Sequence, residues 1–153
     1  MREYRLEREQ LVVWPRDETF ELFGDASNLA AITPPWLQFE IVTPMPVAMG
    51  VGAELEYRLR LHRVPVRWLT AIVEWDPPRR FVDVQMRGPY ALWHHTHEFL
   101  EVGGQTLMRD TVRYALPFGP LGRIAHPLLV KRDLKAIFDY RQEAVTRLTW
   151  ARP

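Results

Sequence analysis

The sequence predicts an α+β domain in which a curved antiparallel sheet of six to seven strands wraps around a long C-terminal helix. Three observations carry this. Strand-like segments are gathered between residues 37 and 116 and are not interleaved with helices. Glu54 to Leu61 alternates charged and apolar residues, as a half-buried strand does. From Leu134 onward the apolar period changes to that of a helix.

The elements follow in chain order. Tyr4 to Val13 reads as a strand stopped at Trp14-Pro15. Pro15, Asp17 and Glu18 suit the first turn of a short helix carrying Phe20, Leu22 and Phe23 and closing near Gly24. Asp25 or Ser27 caps a second short helix through Ile32, and Pro34-Pro35 ends it. Phe39 to Val42 is a short strand. Val66 to Trp75, Phe81 to Arg87, Leu92 to Val102 and Thr106 to Leu116 follow Glu54 to Leu61. The turn signals between them lie at residues 62–65, 76–78, 88–89 and 103–104. Connections this short make successive strands antiparallel neighbours, a meander. Pro127 breaks or kinks a turn over residues 121–126, and the long helix then runs to about Trp150. Residues 1–153 read as one domain, without repeats or a linker.

Composition removes several classes of function. There is no cysteine, which excludes disulfides, thiolate metal sites and cysteine nucleophiles. Charge is balanced, at 20 Lys+Arg against 19 Asp+Glu, and the arginines form no long run, so no nucleic-acid footprint is present. No run of roughly 18 apolar residues exists, so no integral membrane segment is expected. The first residues carry acids and bases and no apolar signal region. A cytoplasmic location is the default expectation. Ser27, the only serine, reads as a helix cap and not as a nucleophile.

The stretch Trp93-His94-His95-Thr96-His97-Glu98-Phe99 holds the most chemistry. Alternation puts Trp93, His95, His97 and Phe99 on one face, which the aromatic ends mark as interior. If the hairpin turns about Gly88-Pro89-Tyr90, Phe81, Asp83 and Gln85 share that side, with Asp83 near His95. Asp110 shares a face with Met108, Val112 and Tyr114 on the next strand. A one-residue slip would flip every side chain, so register stays open.

Several stretches together resemble the START/SRPBCC superfamily, the helix-grip fold, in its polyketide cyclase/dehydrase-like bacterial branch. They are Phe81-x-Asp83-x-Gln85, Gly88-Pro89-Tyr90, Trp93-x-His95-x-His97-x-Phe99, Asp110-x-Val112-x-Tyr114-x-Leu116-Pro117 and Ile137-Phe138-x-Tyr140-Arg141. The resemblance covers nearly the whole chain. It implies a small hydrophobic ligand (a lipid, polyketide or quinone-like compound) held between sheet and helix.

Three readings of the inward polar residues stay open. They are a satisfied structural network, an anchor for the polar end of an apolar ligand, and catalysis. Binding is preferred to catalysis. In the catalytic reading His95, His97, Asp83 and Asp110 supply an acid/base pair for cyclisation or dehydration, with Tyr114 or Arg58 as donor to a developing enolate. In the binding reading Tyr57, Trp68, Phe81, Gln85, Trp93, Phe99, Tyr114, Phe138 and Arg141 line the ligand, with Ile137, Phe138 and Arg141 as its roof. His95-x-His97 with Asp83 or Asp110 could supply three metal ligands. Alternating histidines on a strand are common, and the resemblance implies no metal, so neither metal nor cofactor is expected. The apolar segments 44–50 and 116–121 read as loops packed over core edges, or as lips for a partner in an interaction module with a filled cavity. A homodimer is compatible with such lips.

Overall fold

The computed structural model of the chain describes residues 2–151, apart from the side chains of residues 125, 127 and 128. Its strands are β1 (Glu3–Val12), β2 (Glu40–Ile41), β3 (Glu54–Leu61), β4 (Val64–Asp76), β5 (Arg80–Arg87), β6 (Leu92–Val102) and β7 (Gln105–Ala115). The α-helices are α1 (Arg16–Gly24), α2 (Pro120–Ala125) and α3 (Lys131–Leu148). The second short helix is a 3-10 segment, Ala26–Ile32, whose cap Asp25 accepts from the Ser27 amide. A π-helical turn, His126–Val130, joins α2 to α3, where the sequence places a break at Pro127.

All seven strands form one antiparallel sheet in the order β1-β7-β6-β5-β4-β3-β2. From β2 to β7 this is the expected meander; β1 adds at the β7 edge, with Tyr4 opposite Tyr114. The hairpins explain the register. His62 and Arg63 both take positive φ, 50° and 70°, and Gly103 and Gly104 do the same at 54° and 80°. Two consecutive positive-φ residues make the tight turn whose twist matches a β-ribbon. Two residues suffice at 62–63, so β4 begins at Val64, and Pro65 pairs with Arg60 inside the ladder. The turn is therefore shorter than the 62–65 stretch that the sequence marks. Register shifts in β4 at Leu69/Thr70 and Ile72/Glu74 bend the sheet.

α3 crosses the inner face and buries Leu134, Phe138, Ala144 and Val145. It stops at Leu148, and Trp150, expected as its last residue, is exposed. The core is in two parts. One gathers Phe20, Phe23, Ile72, Phe81, Phe99, Met108, Ala144 and Val145. The other gathers Trp93, Val112, Tyr114, Leu134 and Phe138. Three elements run from one part to the other: β6 from Trp93 to Phe99, β7 from Met108 to Tyr114, and α3 from Phe138 to Ala144. The residues between those anchors are His95 and His97 on β6, Asp110 on β7 and Arg141 on α3. The polar side chains therefore occupy the seam between two apolar clusters. Among the described residues no helix is long and apolar enough to cross a membrane.

Candidate functional site

β5, β6 and β7 bring the seam residues together by register. Asp83 lies directly opposite His95, and His97 directly opposite Asp110. The hydrogen bonds run along the diagonals instead. His95 Nε2 is 2.8 Å from Asp110 Oδ1, and His97 Nε2 is 2.6 Å from Asp83 Oδ2. Diagonal neighbours on one sheet face are within reach of long side chains. The two imidazoles stack on each other with centroids 3.7 Å apart, and Phe81 stacks on the outer face of His97 at 4.0 Å. Arg141 reaches down from α3, with Nη2 3.4 Å from Asp110 Oδ1 and its guanidinium over the rings of Phe23 and Phe138.

Burial makes these contacts matter. His95, His97 and Asp110 are buried, and Asp83 is nearly so. Burial pushes the Asp110 carboxyl up, but the Arg141 charge and the His95 hydrogen bond outweigh it and hold the group well below the usual carboxylate range. Asp83 is likewise lowered: burial opposes, while the His97 hydrogen bond and the charges around it prevail. Burial, then the neighbouring His95, pushes His97 down to about 4, against the pull of Asp83. A neutral His97 donating from Nε2 to Asp83 leaves Nδ1 an acceptor. That Nδ1 is buried without a hydrogen-bond partner, 3.4 Å from Asp110 Oδ1.

Above the cluster lies a cavity of about 220 Å³ between sheet and α3. Asp83, His95 and His97 are on its wall with Phe81, Trp93 and Tyr57; Leu134, Ile137, Phe138 and Arg141 come from the helix side. Most other lining groups are aliphatic or aromatic, among them Leu55, Leu59, Leu61, Trp68, Ile72 and Tyr90. Burial raises the phenols of Tyr57 and Tyr90 above their usual range, so both stay neutral OH groups.

No family model matches the chain, and no curated protein does. Solved structures do. A crystal structure of TTHA0849 from Thermus thermophilus is 22% identical, covering 97% of this chain and 99% of that one, with a TM-score of 0.65. The ZhuI aromatase/cyclase from Streptomyces sp. R1128 is 15% identical over 96% of each chain, with a TM-score of 0.69. A norcoclaurine synthase point mutant from Thalictrum flavum, in complex with a transition-state analogue, is 14% identical over 95% and 96%, with a TM-score of 0.68.

This chain has the helix-grip fold. Within that helix-grip frame, Tyr57, Trp68, Phe81, Trp93, Phe138 and Arg141 line the cavity, together with His95, His97 and Asp83. Asp110 stands behind the wall, joined to it through His95. Three expected lining residues are elsewhere. Gln85 turns to the hairpin loop, where Nε2 donates to the Tyr90 carbonyl and Oε1 accepts from the Tyr90 amide. Phe99 is 1% exposed within the first core cluster, against Phe20, Phe23 and Phe81. Tyr114 is packed in the second cluster, its OH 2.6 Å from His126 Nε2. Tyr114 is thus engaged away from the cavity, and Arg58 points to the solvated face, so neither serves as an enolate donor.

Sequence reasoning missed Tyr90 and the β3 leucines as lining residues. The alternation of Glu54 to Leu61 was the available signal, since it sets Leu55, Leu59 and Leu61 on the face of Tyr57. No local pattern marks Tyr90, which reaches the cavity from the loop after β5. Of the apolar lips, the 44–50 loop sends Met49 against the core, while Phe118 and Leu121 stay exposed.

Proposed function

We propose that the protein binds a compact apolar molecule with one polar end in the cavity between sheet and α3. One observation carries this reading. The cavity wall is mostly apolar, with the neutral hydroxyl residues Thr33, Tyr57, Thr70 and Tyr90, and among the described residues its only ionised or imidazole side chains are Asp83, His95, His97 and Arg141, a lining suited to fix one end of a ligand. Size narrows the class. A cavity of roughly 150 Å³ holds benzene, and this one has about 220 Å³. A one- or two-ring aromatic, such as a small polyketide or quinone-like compound, suits it better than a long acyl chain.

Titration with 1-naphthol or 1,4-naphthoquinone tests this, because Trp68 and Trp93 on the wall report occupancy through their fluorescence. Saturable quenching of both supports the reading. Quenching no greater than that of free tryptophan counts against it.

A second reading is acid/base catalysis of cyclisation or dehydration by the His–Asp pairs. It draws on the two His–Asp hydrogen bonds, of which the Asp83, His95 and His97 side chains meet the cavity wall. An imidazole held at about 4 is a weak base at neutral pH, which favours binding over turnover.

A further inference from the structure

We propose that Asp83, His95 and His97 bind a divalent transition-metal ion, zinc or ferrous iron, with an open coordination position toward the apolar cavity. This goes beyond the binding of an organic ligand and rests on the side-chain cluster itself. One ligand atom from each of the three residues lies within 4.8 Å of the other two. His97 Nε2 and Asp83 Oδ2 are 2.6 Å apart, and His95 Nδ1 is 3.9 Å from the same oxygen. Ligands about 2.0–2.2 Å from a tetrahedral ion are separated by roughly 3.3 Å. The two distances bracket that value, so small side-chain rotations suffice.

The unsatisfied groups point the same way. His95, whose Nε2 is bonded to Asp110, turns its Nδ1 toward Asp83 Oδ2 at 3.9 Å, too far for a hydrogen bond. His97 repeats the problem on its other side, where the unpartnered Nδ1 faces Asp110 Oδ1 at 3.4 Å. One cation resolves both. Seated between Asp83 Oδ2, His95 Nδ1 and His97 Nε2, it gives the separated His95 and Asp83 atoms a common partner. It also takes the His97 Nε2 lone pair, so the ring proton sits on Nδ1 and is donated to Asp110.

Asp110 then supports both imidazoles, as carboxylates behind metal-bound histidines commonly do, and Arg141 holds Asp110 in turn. Two imidazoles and one carboxylate suit zinc or iron and leave room for a further ligand. The charges specify that ligand. Asp110 and Arg141 cancel, and one carboxylate leaves a divalent ion with a net positive charge. The open position therefore favours a monoanionic oxygen: hydroxide, a carboxylate or an enolate.

The test uses protein stripped with a chelator and titrated with zinc alone by calorimetry. One-to-one binding in the micromolar range or tighter is expected. Asp83→Asn, His95→Asn and His97→Gln should each weaken it at least a hundredfold. Asp110→Asn should weaken it about ten- to a hundredfold, through the imidazoles it orients. His62→Ala, at an exposed His–Asp pair, should change nothing. The absence of saturable binding, or equal affinity in the ligand variants, overturns the proposal. Should a variant fail to fold by circular dichroism, X-ray absorption of zinc on the wild-type protein decides. Two imidazole nitrogens in the first shell support the site, and one or none overturns it. Because no organic ligand is present, this outcome is independent of whether naphthol binds.

Discussion

His95 and His97 stack face to face at 3.7 Å, yet they hydrogen bond to carboxylates on opposite neighbouring strands, His95 to Asp110 on β7 and His97 to Asp83 on β5. The stack is thus held from both sides, and each imidazole has one nitrogen assigned to a carboxylate. A flip of either ring would break a buried hydrogen bond to a charged group, whereas a small rotation would not. The arrangement leaves Nδ1 of each ring outside these two hydrogen bonds, that of His95 facing Asp83 Oδ2 and that of His97 facing Asp110 Oδ1.

Removing one partner from this network should be costly. Asp110 accepts from both His95 and Arg141, so Asp110→Ala leaves one buried and one partly buried donor without this acceptor. A loss of about 3–5 kcal/mol is expected, the range for breaking a buried ion pair from one side. Adding His95→Leu should recover part of it, since the unpaired ring goes as well. Urea midpoints of the single and double variants measure this. Strictly additive losses would show that the two residues are not coupled.

Acid should destabilise the metal-free protein through His97 before it acts through the carboxylates. His97 is lowered to about 4 when folded and titrates near 6.5 when unfolded. The unfolded chain therefore binds a proton that the folded one refuses, and stability falls as pH drops from 6.5 towards 4. The loss over that window is of order 3 kcal/mol. Asp83 and Asp110, both lowered from 3.8, contribute stability that is lost only below that value. His126, also lowered by burial, adds a share of the same sign as His97. Urea unfolding at a series of pH values in chelator should show a shallower slope in His97→Gln than in wild type. Parallel slopes would remove His97 as the cause.

The elements most legible in sequence are those with one solvated face. β3, β6 and β7 alternate because one side of the sheet meets water, and each runs within one residue of its expected bounds. The seam was legible as a list of residue types on one face, which brought Asp83, His95, His97 and Asp110 together. Which carboxylate each imidazole takes was not, because diagonal and direct neighbours on a sheet face are indistinguishable in a one-dimensional pattern. Gln85 shows a second limit. It shares the Asp83 face by alternation, but at the end of β5 the adjacent loop offers it two backbone partners. Tyr114 shows a third, since its partner His126 comes from the π-helical turn after α2, an irregularity with no sequence period.

Filling the cavity should block ligand uptake without unfolding the protein. Ile137 enters the cavity from α3, and it is only partly buried. Ile137→Trp occupies much of the 220 Å³ while leaving the ladder and every fully buried member of both core clusters in place. At least a tenfold weaker naphthol response is expected, with stability within about 1.5 kcal/mol of wild type. Trp68 fluorescence in an Ile137→Phe variant, which avoids adding an indole, gives the same readout. An unchanged response in both would place naphthol outside this cavity.

The Gln85 staple should respond as a unit with Gly88. A Cβ at residue 88 would lie 2.6 Å from Gln85 Oε1 and 2.8 Å from its Cδ, so the side chain must leave its place. Displacing it frees the amide and carbonyl of Tyr90, whose ring packs against Trp68 and Trp93 beside the cavity. Gly88→Ala and Gln85→Ala are each expected to cost about 1–2 kcal/mol, the scale of lost hydrogen bonds to partly buried groups. The double variant should cost scarcely more than either single one, because both remove the same two bonds. Denaturant midpoints of the three variants test this, and fully additive losses would mean that Gly88 acts on the loop by some other route.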